Sequence, residues 1–130
     1  MQRTFLKGKI HRARVTQADL DYVGSITIDR DLIQASGFLP YEKVEIYDVT
    51  NGNRLATYVI PGEAGSGVIG INGAAARLVQ RDDIVIIASY VQLEENEVAQ
   101  HQVTTLLVNE HNQVIKKITD TVGSATTATH

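Results

Sequence analysis

The feature that most limits what this chain can fold into is the shortness of its apolar runs. Stretches rich in Val, Ile and Leu recur along it, each soon closed by Gly, Pro, Asn or Asp. Short β-branched runs read as strands, and no stretch keeps a helical apolar stripe beyond about two turns. The chain therefore predicts a mainly β fold, a barrel or closed sandwich with short helices. At 130 residues and 43% apolar content it has material for one core, and no internal repeat interrupts it.

Strands are expected over residues 7–15, 22–28, 68–71 and 84–91, the last buried on both faces because Ile84-Val85-Ile86-Ile87-Ala88 is apolar throughout. Asp29 suits the N-cap of a short helix that buries Leu32, Ile33 and Ser36 and ends at Gly37 before Pro40. Asn51-Gly52, between Val44–Thr50 and Asn53–Ile60, predicts a two-residue hairpin turn. That register pairs Val49 with Arg54, Tyr47 with Ala56 and Glu45 with Tyr58. Strand parity then puts Tyr47, Arg54 and Tyr58 on one face, and Val44, Ile46, Leu55, Val59 and Thr57 on the core side. Asn72 is placed to cap a helix over residues 73–79 whose free amides and small side chains, at Gly73, Ala74 and Ala75, would admit a carboxylate. A last hairpin is expected over residues 103–118. The Thr-, Ala- and Ser-rich segment 119–130 reads as a flexible tail, so that residues 1–118 form the domain.

The absence of Cys removes thiol catalysis, zinc ribbons and disulfide frameworks from consideration. His11, His101, His111 and His130 lack metal-ligand spacing, so no metal site is expected. The N-terminus has no signal-peptide core and no run is long enough to cross a membrane, which predicts a cytoplasmic protein without a membrane partner. A net charge of −3 argues against a nucleic-acid partner. Residues 62–67 are glycine-rich but precede no Lys-Ser/Thr, so they read as a mobile connection and not a phosphate loop.

Gly24-Ser25 carries a more specific chemistry. A glycine inside a strand marks a bulge or a close bend. At a strained Gly-Ser bond the hydroxyl can attack the preceding carbonyl, giving an ester that eliminates to dehydroalanine and hydrolyses to a pyruvoyl group. Gly-Ser also occurs at 65–66 and 123–124, so the dipeptide alone selects nothing. Lys7, Lys9 and His11 share a parity on a strand that could adjoin it.

The blocks Arg3-Thr4, Lys7, Lys9, Ile10-His11-Arg12, Val15-Thr16, Ala18-Asp19-Leu20, Tyr22 and Gly24-Ser25 resemble the bacterial aspartate 1-decarboxylase family. So do Asn51-Gly52, Arg54, Thr57-Tyr58, Gly62-Glu63, Gly65-Ser66, Asn72-Gly73-Ala74-Ala75-Ala76 and Asp83-Ile84-Val85-Ile86, in the same order and spacing. The resemblance spans about residues 3 to 90 and implies a double-psi β-barrel assembled as a homotetramer with active sites between subunits. It implies autocatalytic cleavage at Gly24-Ser25, giving a β chain of residues 1–24 and an α chain of residues 25–130. The activity implied is pyruvoyl-dependent decarboxylation of L-aspartate to β-alanine and CO2, supplying pantothenate synthesis. The cofactor would be a covalent pyruvoyl group derived from Ser25, with neither metal nor pyridoxal phosphate, and the family's partners admit a maturation factor.

By the same resemblance Tyr58 is the proton donor, Thr57 assists cleavage and contacts substrate, and Lys9, Arg54, Gly73, Ala74 and Ala75 bind substrate. His11, Tyr22, Tyr47, Asn72 and Ile86 line the pocket, Tyr47 standing where many members carry Trp. Two rival readings are a swapped-hairpin or barrel DNA-binding regulator, with Lys7, Lys9, Arg12 and Arg14 on phosphate, and an inert homologue that never cleaves.

Overall fold

In the computed structural model, which describes residues 1–21 and 23–124, the short apolar runs become strands. These are β1 (Arg3–Arg14), β2 (Gln17–Asp19), β3 (Ser25–Asp29), β4 (Lys43–Asp48), β5 (Arg54–Gly62), β6 (Ile69–Asn72), β7 (Ile84–Leu93), β8 (Gln102–Val108) and β9 (Val114–Thr121). They form one sheet in the order β2-β6-β3-β5-β4-β7-β1-β8-β9. Pairs β1–β8, β2–β6 and β3–β5 are parallel and the rest antiparallel. Laid flat, β6 and β8 would stand about 29 Å apart, six strand spacings of ~4.8 Å. Yet Asn112, in the β8–β9 turn, donates from Nδ2 to the carbonyl of Gly67, two residues before β6, at 2.8 Å. The sheet is therefore rolled, and residues from both its ends, Ile71 and Leu106 among them, share one buried cluster. The fold is the mainly β barrel with short helices that the sequence predicts.

Local chemistry sets the helix ends. Asp29 accepts from Asp31 N at 2.8 Å to start α1 (Arg30–Ser36), and Gly37, at φ 82°, closes it on Ile33 O. Leu32, Ile33 and Ser36 are buried, as their spacing requires. A second short helix, α2 (Glu95–Val98), has a Glu94/Glu97 capping box that the sequence reading passed over.

Several expectations are corrected. The 51–52 turn is longer than two residues: Asp48 pairs with Asn53, and Tyr47, Glu45 and Lys43 pair with Arg54, Ala56 and Tyr58. Asp48 Oδ1 accepts from the amides of Thr50 and Asn51 and gathers residues 49–52 into the loop. The register moves by two, so the faces survive: Val44, Ile46 and Val59 are fully buried. β7 is not buried on both sides, since Ile84 and Ile86 are half-exposed and Tyr90 is exposed, while Val85 and Ile87 face the core.

The glycine-rich segment is pinned, not mobile. Both oxygens of the buried Asp29 carboxylate accept its amides, from Gly65 at 3.1 Å and Gly67 at 2.8 Å. Asn112 also bonds Arg14 N and Arg14 O at 2.8 Å each, as a strand would. Order extends past residue 118, because β9 runs to Thr121 opposite Gln102 and a 3-10 turn follows over Val122–Ser124. Residues 125–130, the rest of the expected tail, lie outside the described residues.

Candidate active site

Ser25 is the first residue of β3 and is 6% exposed. Its antiparallel partner on β6 is Asn72, so the two side chains share a face. Asn72 Nδ2 donates to Ser25 Oγ and to Thr27 Oγ1, each at 3.0 Å. Asn72 is thus no helix cap: its side chain makes no capping bond, and residues Gly73–Arg77 form a 3-10 turn that begins with Gly73 at φ 71°. With Nδ2 donating to the hydroxyls of β3, Oδ1, the atom a cap would offer to the following N–H groups, makes no capping bond.

On the other side of β3 runs β5, parallel, with Ile26 beside Val59 and Thr27 beside Ile60. Ile26, Ile28, Val59 and Ile71 point inward and are fully buried. Ser25, Thr27, Tyr58, Ile60 and Asn72 therefore stand together on the outer face. With Gln17, Val23 and Tyr41 they line a cavity of about 470 Å³. Ser25 Oγ also lies 3.5 Å from Val23 O.

Gly24 precedes β3, so it is not the strand-interior bulge that the sequence suggested. It has no left-handed φ, and a Cβ built on it would meet nothing within 4 Å. Neither packing nor backbone conformation demands glycine there. What its missing side chain leaves is an open flank on the carbonyl next to Ser25.

Arg54 and Tyr47 form a second group. The Arg54 guanidinium carbon lies 4.6 Å from the centroid of the Tyr47 ring, a cation–π contact. The Tyr47 hydroxyl donates to Glu45 Oε2 at 2.7 Å and lies 2.7 Å from the Tyr90 hydroxyl. Desolvation first, then these two partners, push its ionisation well above the usual phenol range. Tyr47, Arg54, Ile86 and Tyr90 line a separate cavity of about 370 Å³. Cross-strand pairing puts Lys9 opposite Ala88, which is opposite Glu45, so Lys9 stands on this outer patch too.

The hairpin parity that grouped Tyr47, Arg54 and Tyr58 is right about the face and wrong about the cavity. Tyr58 lies four residue steps beyond Arg54 along β5, about 13 Å at ~3.3 Å per step. Each chain thus carries two outward patches, one with the Gly-Ser hydroxyl and the phenol, the other with the cations.

Thr57 pairs with Val44 on the core side of β5 and lines neither cavity. His11 is half-buried on β1, and Gly73, Ala74 and Ala75 follow directly after Asn72. Tyr22 lies outside the described residues. Sequence reasoning missed Thr27, which its i+2 spacing from Ser25 on a strand could have revealed. It also missed Glu45, which has the same i+2 spacing from Tyr47, and Tyr41, Gln17 and Tyr90, for which no local signal exists. Lys7 Nζ pairs with Glu42 at 3.1 Å, which takes one of the four cations of the phosphate-binding alternative. Among the described residues no group of three His, Cys, Asp or Glu is placed to hold a metal ion. None of their helices is long and apolar enough to cross a membrane.

The family model described as aspartate decarboxylase matches residues 1–115. The chain is 60% identical over 114 residues to the aspartate 1-decarboxylase of Neisseria meningitidis serogroup C, covering 88% of this chain and 90% of that protein. It is 55% identical over 114 residues to that of Anoxybacillus flavithermus, with coverage of 88% and 90%. To that of Carboxydothermus hydrogenoformans it is 57% identical over 113 residues, covering 87% and 89%.

Proposed function

The chain belongs to the aspartate decarboxylase family, and from that membership we propose that it converts L-aspartate to β-alanine and CO2 through a pyruvoyl group made from its own Ser25. The β-alanine would feed pantothenate synthesis in the cytoplasm. The observation that carries the reading is the buried Ser25 hydroxyl, held by the Asn72 amide in a cavity that also presents the Tyr58 phenol.

In maturation Ser25 Oγ attacks the Gly24 carbonyl, and the peptide C–N bond breaks as the ester C–O bond forms. Elimination then releases residues 1–24 with a Gly24 carboxylate and leaves dehydroalanine at position 25, which takes up water and loses ammonia. The bare flank of Gly24 leaves the carbonyl accessible. The Asn72 N–H stabilises the negative charge that Oγ carries, first as its proton leaves and again as the Gly24 carboxylate departs. The residues around Ser25 fit such a group: it would stand at the start of β3, between Asn72 and Tyr58. What it supplies is an electron sink for the pair released at the α-carbon, in place of pyridoxal phosphate.

The protein's own side chains do the rest. Arg54 clamps the side-chain carboxylate bidentately and Lys9 adds a point charge, which selects a dicarboxylic substrate. A strong ion pair on the departing carboxylate would instead stabilise the ground state more than the transition state, so that group sits away from the guanidinium. Tyr58 delivers its hydroxyl proton to the α-carbon. By the same family resemblance Thr57, Gly73, Ala74 and Ala75 would join them in contacting substrate, and His11, Tyr22, Tyr47, Asn72 and Ile86 would line the pocket.

One chain's two patches lie too far apart for one aspartate. A head-to-tail assembly in which the Arg54 patch of one subunit meets the Ser25 patch of the next supplies both, and such interfaces close into rings, here a homotetramer. Intact-mass spectrometry tests the reading. Two fragments are expected, residues 1–24 and 25–130, whose masses sum to the precursor plus water minus ammonia. Ser25→Ala abolishes cleavage and activity together. A wild-type chain that stays whole through prolonged warm incubation refutes it.

A further inference from the structure

The cavity around Ser25 has one wall that the aspartate decarboxylase reading leaves without a role. Tyr41, in the connection between α1 and β4, has φ 68°, a left-handed backbone that favours glycine and strains a bulky side chain. The conformation is held from both sides by the buried Val59 of β5: Tyr41 N donates to Val59 O at 2.7 Å, and Val59 N donates to Glu42 O at 3.1 Å. Glu42 fastens the same turn. Its Oε1 accepts Leu39 N at 3.0 Å and its Oε2 takes Lys7 Nζ at 3.1 Å, tying the loop to β1.

The result of this strained backbone is specific. The Tyr41 ring lies over the Tyr58 ring, with centroids 6.0 Å apart and planes at 20°, while Tyr41 itself stays 74% exposed. A large aromatic kept at the surface in an unfavourable conformation contributes little to the core. Its contact is with the side chain that stands beside Ser25 and Asn72 in the same cavity.

We infer that Tyr41 is a positioning residue for Tyr58, its ring holding the phenol in the orientation from which it reaches a group bound at Ser25. An unstacked phenol on an outer strand face samples more rotamers. Proton delivery succeeds only from within hydrogen-bond reach, so each lost orientation lowers turnover without touching the cations that hold the substrate. The inference rests on the reading of Tyr58 as proton donor.

The test compares Tyr41→Gly and Tyr41→Asn, which suit the left-handed backbone and remove the ring, with Tyr41→Phe, which restores the ring alone. An offset aromatic pair is worth about 0.5–1.5 kcal/mol, so the ringless variants should lose roughly two- to thirteen-fold in kcat at unchanged KM. Their Tm should not fall, because the strain is relieved. In the uncleaved Ser25→Ala protein with labelled tyrosine, the Tyr58 ring resonances should shift in both ringless variants and return in Tyr41→Phe, which also recovers turnover. The inference is overturned by unshifted Tyr58 resonances, by wild-type kcat in both ringless variants, by losses that merely track Tm, or by a Tyr41→Phe as impaired as Tyr41→Gly. Undiminished turnover in Tyr58→Phe would overturn the proton-donor reading and this inference with it. A large loss in Tyr58→Phe beside none in Tyr41→Gly would overturn this inference alone.

Discussion

Replacing Asn72 by Ala is the perturbation whose effect the geometry determines most directly. It deletes one amide that donates at 3.0 Å to both Ser25 Oγ and Thr27 Oγ1, at a residue 5% exposed. Two neutral hydrogen bonds at about 0.5–1.5 kcal/mol each put the stability loss at about 1–3 kcal/mol. Self-cleavage should suffer separately. Oγ bears negative charge during attack and elimination, and a hydrogen bond to a charged oxygen contributes about 1.5–3 kcal/mol. That converts to cleavage roughly 13- to 160-fold slower. The assay is the fraction of intact chain against time at fixed temperature, read by mass, with urea unfolding of the uncleaved protein as the stability measure. Thr27→Val is the control: it removes one partner of the same amide and spares the other, so it should cost stability and slow cleavage far less. Asn72→Ala cleaving within threefold of wild type while folded would refute the assignment of the amide to the cleavage step.

Two further outcomes are expected. Asp48 is 3% exposed, and desolvation together with the neighbouring Asp83 carboxyl raises its pKa from 3.8 to about 6. Because the folded value is the higher one, the stabilisation from its proton is complete below about pH 4 and is lost as pH rises through about 6, amounting to up to about 3 kcal/mol. Asp48→Asn mimics the protonated form, so its advantage in urea unfolding should be absent near pH 4 and grow toward pH 7; a pH-independent difference would contradict this. For the assembly, Arg54→Ala and Tyr58→Phe chains are each impaired alone. If every site draws Arg54 and Tyr58 from different subunits, a one-to-one mixture refolded together should recover about a quarter of wild-type activity, the chance that both neighbours supply the intact residue. Recovery no greater than the parents' would place both residues in one subunit.

How much of this was legible in the sequence depends on how local each cause is. The strand character of the runs, the cap at Asp29, the stop at Gly37 and the buried side of the Val44–Val59 hairpin follow from neighbours within a few residues. Parity survived even a wrong turn length, because Asp48 shifted the register by an even number. Gly24-Ser25 and Tyr58 could be singled out because their chemistry is carried by residue type.

What only the tertiary structure decided was company. Asn72 reads as a helix cap until β3 is laid beside β6 and offers two hydroxyls to its amide. The glycine-rich segment reads as mobile until Asp29 and Asn112, remote in the chain, take its amides and a carbonyl. Tyr47, Arg54 and Tyr58 share a face that local alternation foretells, but distance along β5 divides it between two cavities. Tyr41 stands at a backbone angle no tyrosine prefers because β5 holds its amide there. The amino-acid order specifies which groups exist and which way they alternate; which of them meet depends on strand pairings between segments far apart in the chain, and only the rolled sheet supplies those.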